Sequence, residues 1–302
     1  MKTEITLNSN CDELPISVAV IAPDKDIKAI VQISHGMSEH KERYFDFMEF
    51  LAANGYAAII NDHRGHGKSV KNPDDLGYFY ESKAEYIVED LHQVTEYAKS
   101  LFPDKNVILF GHSMGSMVVR KYIKKYDHDI VKLIVCGSPS QHPLANVGVF
   151  ANKLVKAVKG DHYRSRLVND LTFGNYNDAI DDIFSANSWI CTNEDNVHAY
   201  DSDELCGFIF TTNGFENLFR LMKDIYSEKG WSVNNPELPI LFIAGSDDPV
   251  TLGKKRWLLS QSFLRDRGYK NVKCKYYKGL RHELLNEKCN KKIYKDILSF
   301  IN

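Results

Sequence analysis

Two textures alternate along this chain. Short apolar runs of strand length recur, and stretches with helical spacing separate them. Residues 4–7 and 16–20 give weak strand signals, and 28–33 gives a clear one. An amphipathic helix rich in Phe is predicted over 44–53, stopped by Asn54-Gly55. A strand follows at 56–60, then a long helix over 82–101 ended by Pro103. Residues 107–110 form the next apolar run, a helix follows with Met117-Val118-Val119 and Tyr122, and 131–136 is again a strand. Near-continuous apolar strands separated by helices predict an α/β protein whose parallel sheet is covered on both faces.

The alternation stops between residues 139 and 230. Helical stretches are predicted at 147–158 and 178–183, amid many aromatics that include Phe150, Phe173, Tyr176, Trp189, Tyr200 and Phe210. The pattern then resumes with a strand at 239–244, a helix over 253–267, a strand at 272–277 and a final helix over 291–301. The expected organisation is one α/β core, residues 1–138 and 231–302, interrupted by an insertion at 139–230.

Composition narrows the classes. A chain of 302 residues has ample material for a core. A net charge of −2 without a basic block argues against a nucleic-acid partner. Met1-Lys2-Thr3-Glu4 has no signal-peptide pattern, and the longest apolar runs fall far short of a membrane span. Six scattered cysteines without a Cys-x-x-Cys pair fit reduced thiols, so the expected location is cytoplasmic.

Candidate chemistry centres on Gly111-His112-Ser113-Met114-Gly115, between an apolar strand and a helix. Small residues on both sides of the serine allow a sharp strand-to-helix turn that lifts the hydroxyl above the sheet edge. A serine hydroxyl needs a base, a group to orient that base, and an oxyanion hole. His282 is the expected base, because it stands in the loop after the last strand. The acid belongs to Gly245-Ser246-Asp247-Asp248-Pro249, where two neighbouring aspartates compete and adjacent turn residues point in different directions. The oxyanion donors are expected to be the backbone N–H groups of Met114 and Met37, the latter in the loop Ser34-His35-Gly36-Met37.

Two motifs mislead. Gly65-His66-Gly67-Lys68-Ser69 ends like a phosphate loop, but the glycine required five positions before Gly67 is missing. His282-Glu283 begins like a zinc-protease motif, but Asn286 replaces the second histidine. The pairs His35/His40 and His63/His66 have no nearby thiolate or carboxylate set in sequence, so no metal and no cofactor is expected.

Five motifs together resemble the α/β-hydrolase superfamily, and within it the monoacylglycerol lipase and lysophospholipase group, also described as serine aminopeptidase S33-like. They are the runs at 35–44 (with Glu39-His40 and Arg43-Tyr44), 62–69, 111–115, 245–250 and 281–287. The resemblance puts Asp248 rather than Asp247 at the acid position. It implies an α/β-hydrolase fold: a mostly parallel eight-stranded sheet with helices on both faces and the insertion as a mainly helical cap. It also implies a serine hydrolase acting through an acyl-enzyme. The expected substrate is a small-molecule ester, a monoacylglycerol or lysophospholipid with an apolar acyl chain. The aromatic-rich insertion agrees with that, and transient membrane or micelle contact through the cap stays open. The alternatives are a carboxylesterase, thioesterase or aminopeptidase of the same fold, or a ligand-binding member without catalysis.

Overall fold

The computed structural model describes residues 2–141, 145–178 and 180–302. Its centre is an eight-stranded sheet. The strands are β1 (Lys2–Asn8), β2 (Pro15–Ile21), β3 (Ala29–Ser34), β4 (Tyr56–Asn61), β5 (Val107–His112), β6 (Lys132–Cys136), β7 (Ile240–Gly245) and β8 (Val272–Tyr277). They lie in the order β1-β2-β4-β3-β5-β6-β7-β8. β2 is antiparallel to both β1 and β4, and every other pairing is parallel.

The helices are α1 (Phe45–Ala53), α2 (Tyr86–Leu101), α3 (Met114–Tyr126), α4 (Ala145–Lys159), α5 (Arg166–Phe173), α6 (Glu194–Ser202), α7 (Thr212–Ile225), α8 (Lys254–Asp266) and α9 (Asn290–Ile301). Side chains alternate across a strand, so β5 sends Val107 and Leu109 to one face and Ile108 and Phe110 to the other. On the first face they meet Leu91 of α2, Val118 of α3 and Trp257 of α8. On the second they meet Phe47 of α1 and Ile297 of α9. Each fully buried aliphatic side chain contributes about 1.5–3 kcal/mol, which is why the central strands read as unbroken apolar runs rather than alternating ones.

Leu133 of β6 pairs with Ile240 of β7, so residues 139–230 leave the sheet uninterrupted. Within this segment α4 covers the predicted 147–158, but the helix predicted at 178–183 is not formed among its described residues, residue 179 lying outside them. The Asn177 side chain explains the difference. Its amide donates to the carbonyls of Ser185 and Ala186 and its oxygen accepts from the Trp189 N–H, which holds the backbone in turns. The long helix predicted from 82 starts instead at Tyr86, and Ser82 donates its hydroxyl to Glu216 of α7. Three helices of the segment, α5 to α7, lie outside the stretches that the spacing predicts as helical. Thr211 caps α7 through the Gly214 N–H (3.1 Å), and α7 buries Phe215, Leu218, Leu221 and Ile225 in the core on the α3 side of the sheet.

Candidate active site

Ser113 occupies the turn between β5 and α3 with φ 53° and ψ −116°. A non-glycine residue there is strained by about 1–3 kcal/mol, so the surroundings must hold it. Its N–H donates to the Cys136 carbonyl at the end of β6 (3.0 Å), and its own carbonyl accepts from the Ser116 N–H (3.0 Å) and hydroxyl (2.5 Å). Ser113 is partly exposed between buried neighbours.

Two glycines permit the close approach of the β3 loop. A Cβ on Gly115 would lie 2.0 Å from the Ser34 carbonyl oxygen and 2.5 Å from that of His35. A Cβ on Gly36 would lie 2.6 Å from Glu39 Oε1 and 3.2 Å from the Ser113 Cβ. Backbone cannot yield cheaply, so Gly115→Ala is expected to lower unfolding stability by at least about 1–3 kcal/mol. A urea midpoint shift on the purified variant measures this, and an unchanged midpoint would contradict the contact.

The two aspartates differ completely. Asp248 is buried; its Oδ2 lies 2.9 Å from His282 Nδ1 and its Oδ1 accepts from the Val250 N–H (3.0 Å). Asp247 is exposed, and its carboxylate accepts only from the neighbouring Ser246 hydroxyl (2.6 Å) among the described side-chain contacts. The buried His282 donates from Nδ1 to Asp248, which leaves Nε2 as the acceptor nitrogen. Gly137, following the Cys136 that holds Ser113, lies against the His282 ring; a Cβ there would be 3.1 Å away. Trp189, from the β6–β7 segment, stands over the same ring at 5.2 Å between centroids. Ser113, Asp248 and His282 thus follow β5, β7 and β8 at one sheet edge, with Asp248 and His282 in direct contact.

Behind the pair lies a buried polar network to which sequence reasoning assigned no role. Glu39 accepts from the Gly36 N–H (2.5 Å), the Tyr44 hydroxyl (2.9 Å) and Arg43 (2.8 Å). Arg43 also makes a two-pronged ion pair with Glu283, both bonds 2.7 Å. Asn196 of α6 binds Glu283 as well (2.7 Å). His112 lies 3.1 Å from the Tyr44 hydroxyl and 3.3 Å from Glu39, and its other nitrogen is 3.3 Å from the His282 carbonyl. Burial penalises the Glu39 carboxylate, but the His112 hydrogen bond and the Arg43 charge hold its pKa well below the usual range. Burial likewise opposes charge on His112, and Glu39 outweighs it, raising the pKa. The sequence signal was the i,i+4 pair Glu39/Arg43 beside the glycine loop; its partner Glu283 is far away in the chain.

The remaining histidines of these loops brace the backbone. His35 donates from Nδ1 to the Gly36 carbonyl (2.8 Å) and accepts the His63 N–H (2.9 Å). Burial, then the neighbouring His35, pushes His66 down to about 3, so its ring is neutral. Lys68, at the end of the phosphate-loop look-alike, is exposed and pairs with Glu42 (2.8 Å), while its N–H donates to Asp62 (2.9 Å). A carboxylate facing that loop is unsuited to a phosphate.

The sequence profile described as serine aminopeptidase, S33, matches residues 25–289. A monoacylglycerol lipase of Mycolicibacterium smegmatis is 25% identical over 284 residues, 93% of this chain and 91% of that protein. The monoglyceride lipase of Mus musculus is 24% identical over 276 residues, covering 88% of this chain and 78% of its own length. A thermostable carboxyl esterase from Bacillus coagulans, solved with glycerol, superposes over 100% of this chain and 98% of its own, with a TM-score of 0.92 at 25% identity.

Proposed function

The chain belongs to the serine aminopeptidase S33 family of α/β-hydrolases, and from that premise we propose that it is a serine hydrolase cleaving carboxylic esters of lipid-like substrates, monoacylglycerols or lysophospholipids. The observation that carries this reading is the buried 2.9 Å contact between Asp248 and His282 at the sheet edge where Ser113 stands in its strained turn. In this reading His282 Nε2 takes the Ser113 proton as Oγ attacks the ester carbonyl, and Asp248 stabilises the imidazolium. The oxyanion rests on the N–H groups of Met114 and Met37. Met114 opens α3, where first-turn N–H groups lack intrahelical partners. The Gly36 N–H is already committed to Glu39, so the β3 loop donates from the next peptide, Met37. His282 then protonates the leaving alcohol, and water attacks the acyl-enzyme with the same residue as base.

Residues 139–230 act as the cap over a core of 1–138 and 231–302. Support comes from Trp189 over His282, and from Tyr176, whose ring lies 4.8 Å from that of Trp189. The wall beside the base is therefore aromatic, which suits an apolar substrate. Outside, α4 exposes Val147, Phe150, Leu154 and Val158 by 51, 62, 53 and 81%, one face of the helix, and α5 adds Leu167 and Leu171. Such a face, flanked by Lys153 and Lys159, favours transient contact with a membrane or micelle surface. No described helix is long and apolar enough to cross a membrane. The six cysteines are unpaired, which favours a reducing, cytoplasmic setting.

The test is an ester panel varying chain length and head group, with monoacylglycerol and lysophosphatidylcholine side by side, each offered below and above its critical micelle concentration. Hydrolysis of long-chain esters, rising steeply when micelles form, is expected. Preference for short soluble esters, thioesters or amino-acid amides would replace the lipid-ester reading with one of its same-fold rivals.

A further inference from the structure

A second cluster of ligand-type side chains stands away from the Asp248–His282 pair, where the β3 loop meets the 139–230 segment. His40 is buried just before the short turn Lys41–Tyr44. Its Nε2 lies 2.8 Å from Asp203 Oδ2. Asp203 follows α6 and begins a turn closed by the Cys206 N–H on its carbonyl (2.9 Å). The Leu205 N–H donates to Asp203 Oδ1 (2.8 Å), which fixes the carboxylate with Oδ2 toward His40. The same turn brings in the Cys206 sulfur. The His40 nitrogen, Asp203 oxygen and Cys206 sulfur all lie within 4.8 Å of one another.

The opposite side of the His40 ring completes the pattern. Nδ1 is buried without a hydrogen-bond partner and lies 3.4 Å from Glu42 Oε2. A carboxylate behind a histidine is the arrangement that orients metal-bound imidazoles and raises their basicity. We propose that His40, Asp203 and Cys206 form a zinc-binding site, with Glu42 behind the histidine.

The donor set selects the metal. One nitrogen, one sulfur and one oxygen suit Zn2+ and not the hard cations Mg2+ or Ca2+. Tetrahedral bonds of 2.0–2.1 Å separate nitrogen and oxygen ligands by about 3.3 Å, so the His40–Asp203 contact needs to open by only about 0.5 Å. Water takes the fourth position, and the Asp203 side chain, 34% exposed, marks the entry path. Coordination moves the ring proton from Nε2 to Nδ1, facing Glu42, and releases the Cys206 thiol proton to solvent. The neighbouring cations are already paired: Arg43 with Glu39 and Glu283, Lys68 with Glu42. By contrast, the His92–Glu96–Asp129 group holds Lys99 on Asp129 at 2.7 Å, so a cation already occupies it. A bound ion here would clasp the 139–230 segment to the β3 loop without touching Ser113.

The test uses the full chain after chelator treatment. Calorimetric titration is expected to show one Zn2+ per chain. Asp203→Asn and Cys206→Ser are each expected to weaken it at least 100-fold, and Glu42→Gln about 10-fold or more. Co2+ in place of Zn2+ is expected to give a near-ultraviolet thiolate charge-transfer band in the parent protein that Cys206→Ser abolishes. A parent protein that retains no zinc at equimolar loading, lacks that band, or binds as tightly in both ligand variants overturns the proposal. The cobalt spectrum of the parent chain decides even where a variant folds poorly.

Discussion

Replacing Ser113 by alanine is expected to lower kcat on every accepted ester by about a million-fold, the scale at which losing a nucleophile costs as much as losing the whole triad. Binding should persist, because the aromatic wall around Trp189 and the backbone of the β3 loop are untouched. The variant should also fold well. Ser113 holds an unfavourable φ of 53°, but its backbone bonds to Cys136 and Ser116 do not involve its hydroxyl. Steady-state hydrolysis measures the loss, and a fluorophosphonate probe gives a separate readout. The parent should label at one site and Ser113→Ala at none. A parent that does not label, or a variant that keeps its activity, would end the serine-hydrolase reading.

The second large effect separates two neighbours. Asp248→Asn is expected to lower kcat by about ten thousand-fold, and Asp247→Asn to change it little. An asparagine amide at 248 donates to His282 Nδ1 where the carboxylate now accepts, so the ring carries its proton on Nε2 and cannot take one from Ser113. The same change at 247 disturbs only an exposed contact with Ser246. Parallel kcat/KM measurements on the two variants decide the matter. If Asp247→Asn is the inactive one, the acid has been misassigned.

These expectations rest on features of unequal legibility. The strand–turn–helix around Ser113 was readable because every requirement is local: an apolar run, small residues beside the serine, then a helical pattern. His282 was readable because loops after parallel strands emerge at one sheet edge. The choice between Asp247 and Asp248 was not readable from the residues, which are chemically identical, and only the resemblance favoured one. In the fold, the turn between Asp248 and Val250 buries one carboxylate against His282 and leaves the other in water.

The 139–230 segment was the least legible region. Residues 178–183 have helix-like spacing, yet the Asn177 side chain satisfies backbone groups that a helix would have used. α7 has a strong apolar stripe, but nothing local in the sequence says that it packs beside α3.

By itself, then, the sequence determined the alternating core, the serine turn and the loop that carries His282, since these follow from periodicity and from residues close together in the chain. The residues and their spacing left both aspartates open, the resemblance favoured Asp248, and the tertiary structure buries that one against His282. The tertiary structure also joined Glu39 and Arg43 to Glu283, and His40 to Asp203 and Cys206. Those partners are separated by long stretches of chain, and side chains so far apart become neighbours only when the sheet and the packed insertion fix their positions. Burial then changes what each group does: a carboxylate in solvent is a bystander, whereas one held in the interior must be paired, and its partner is what gives it a role.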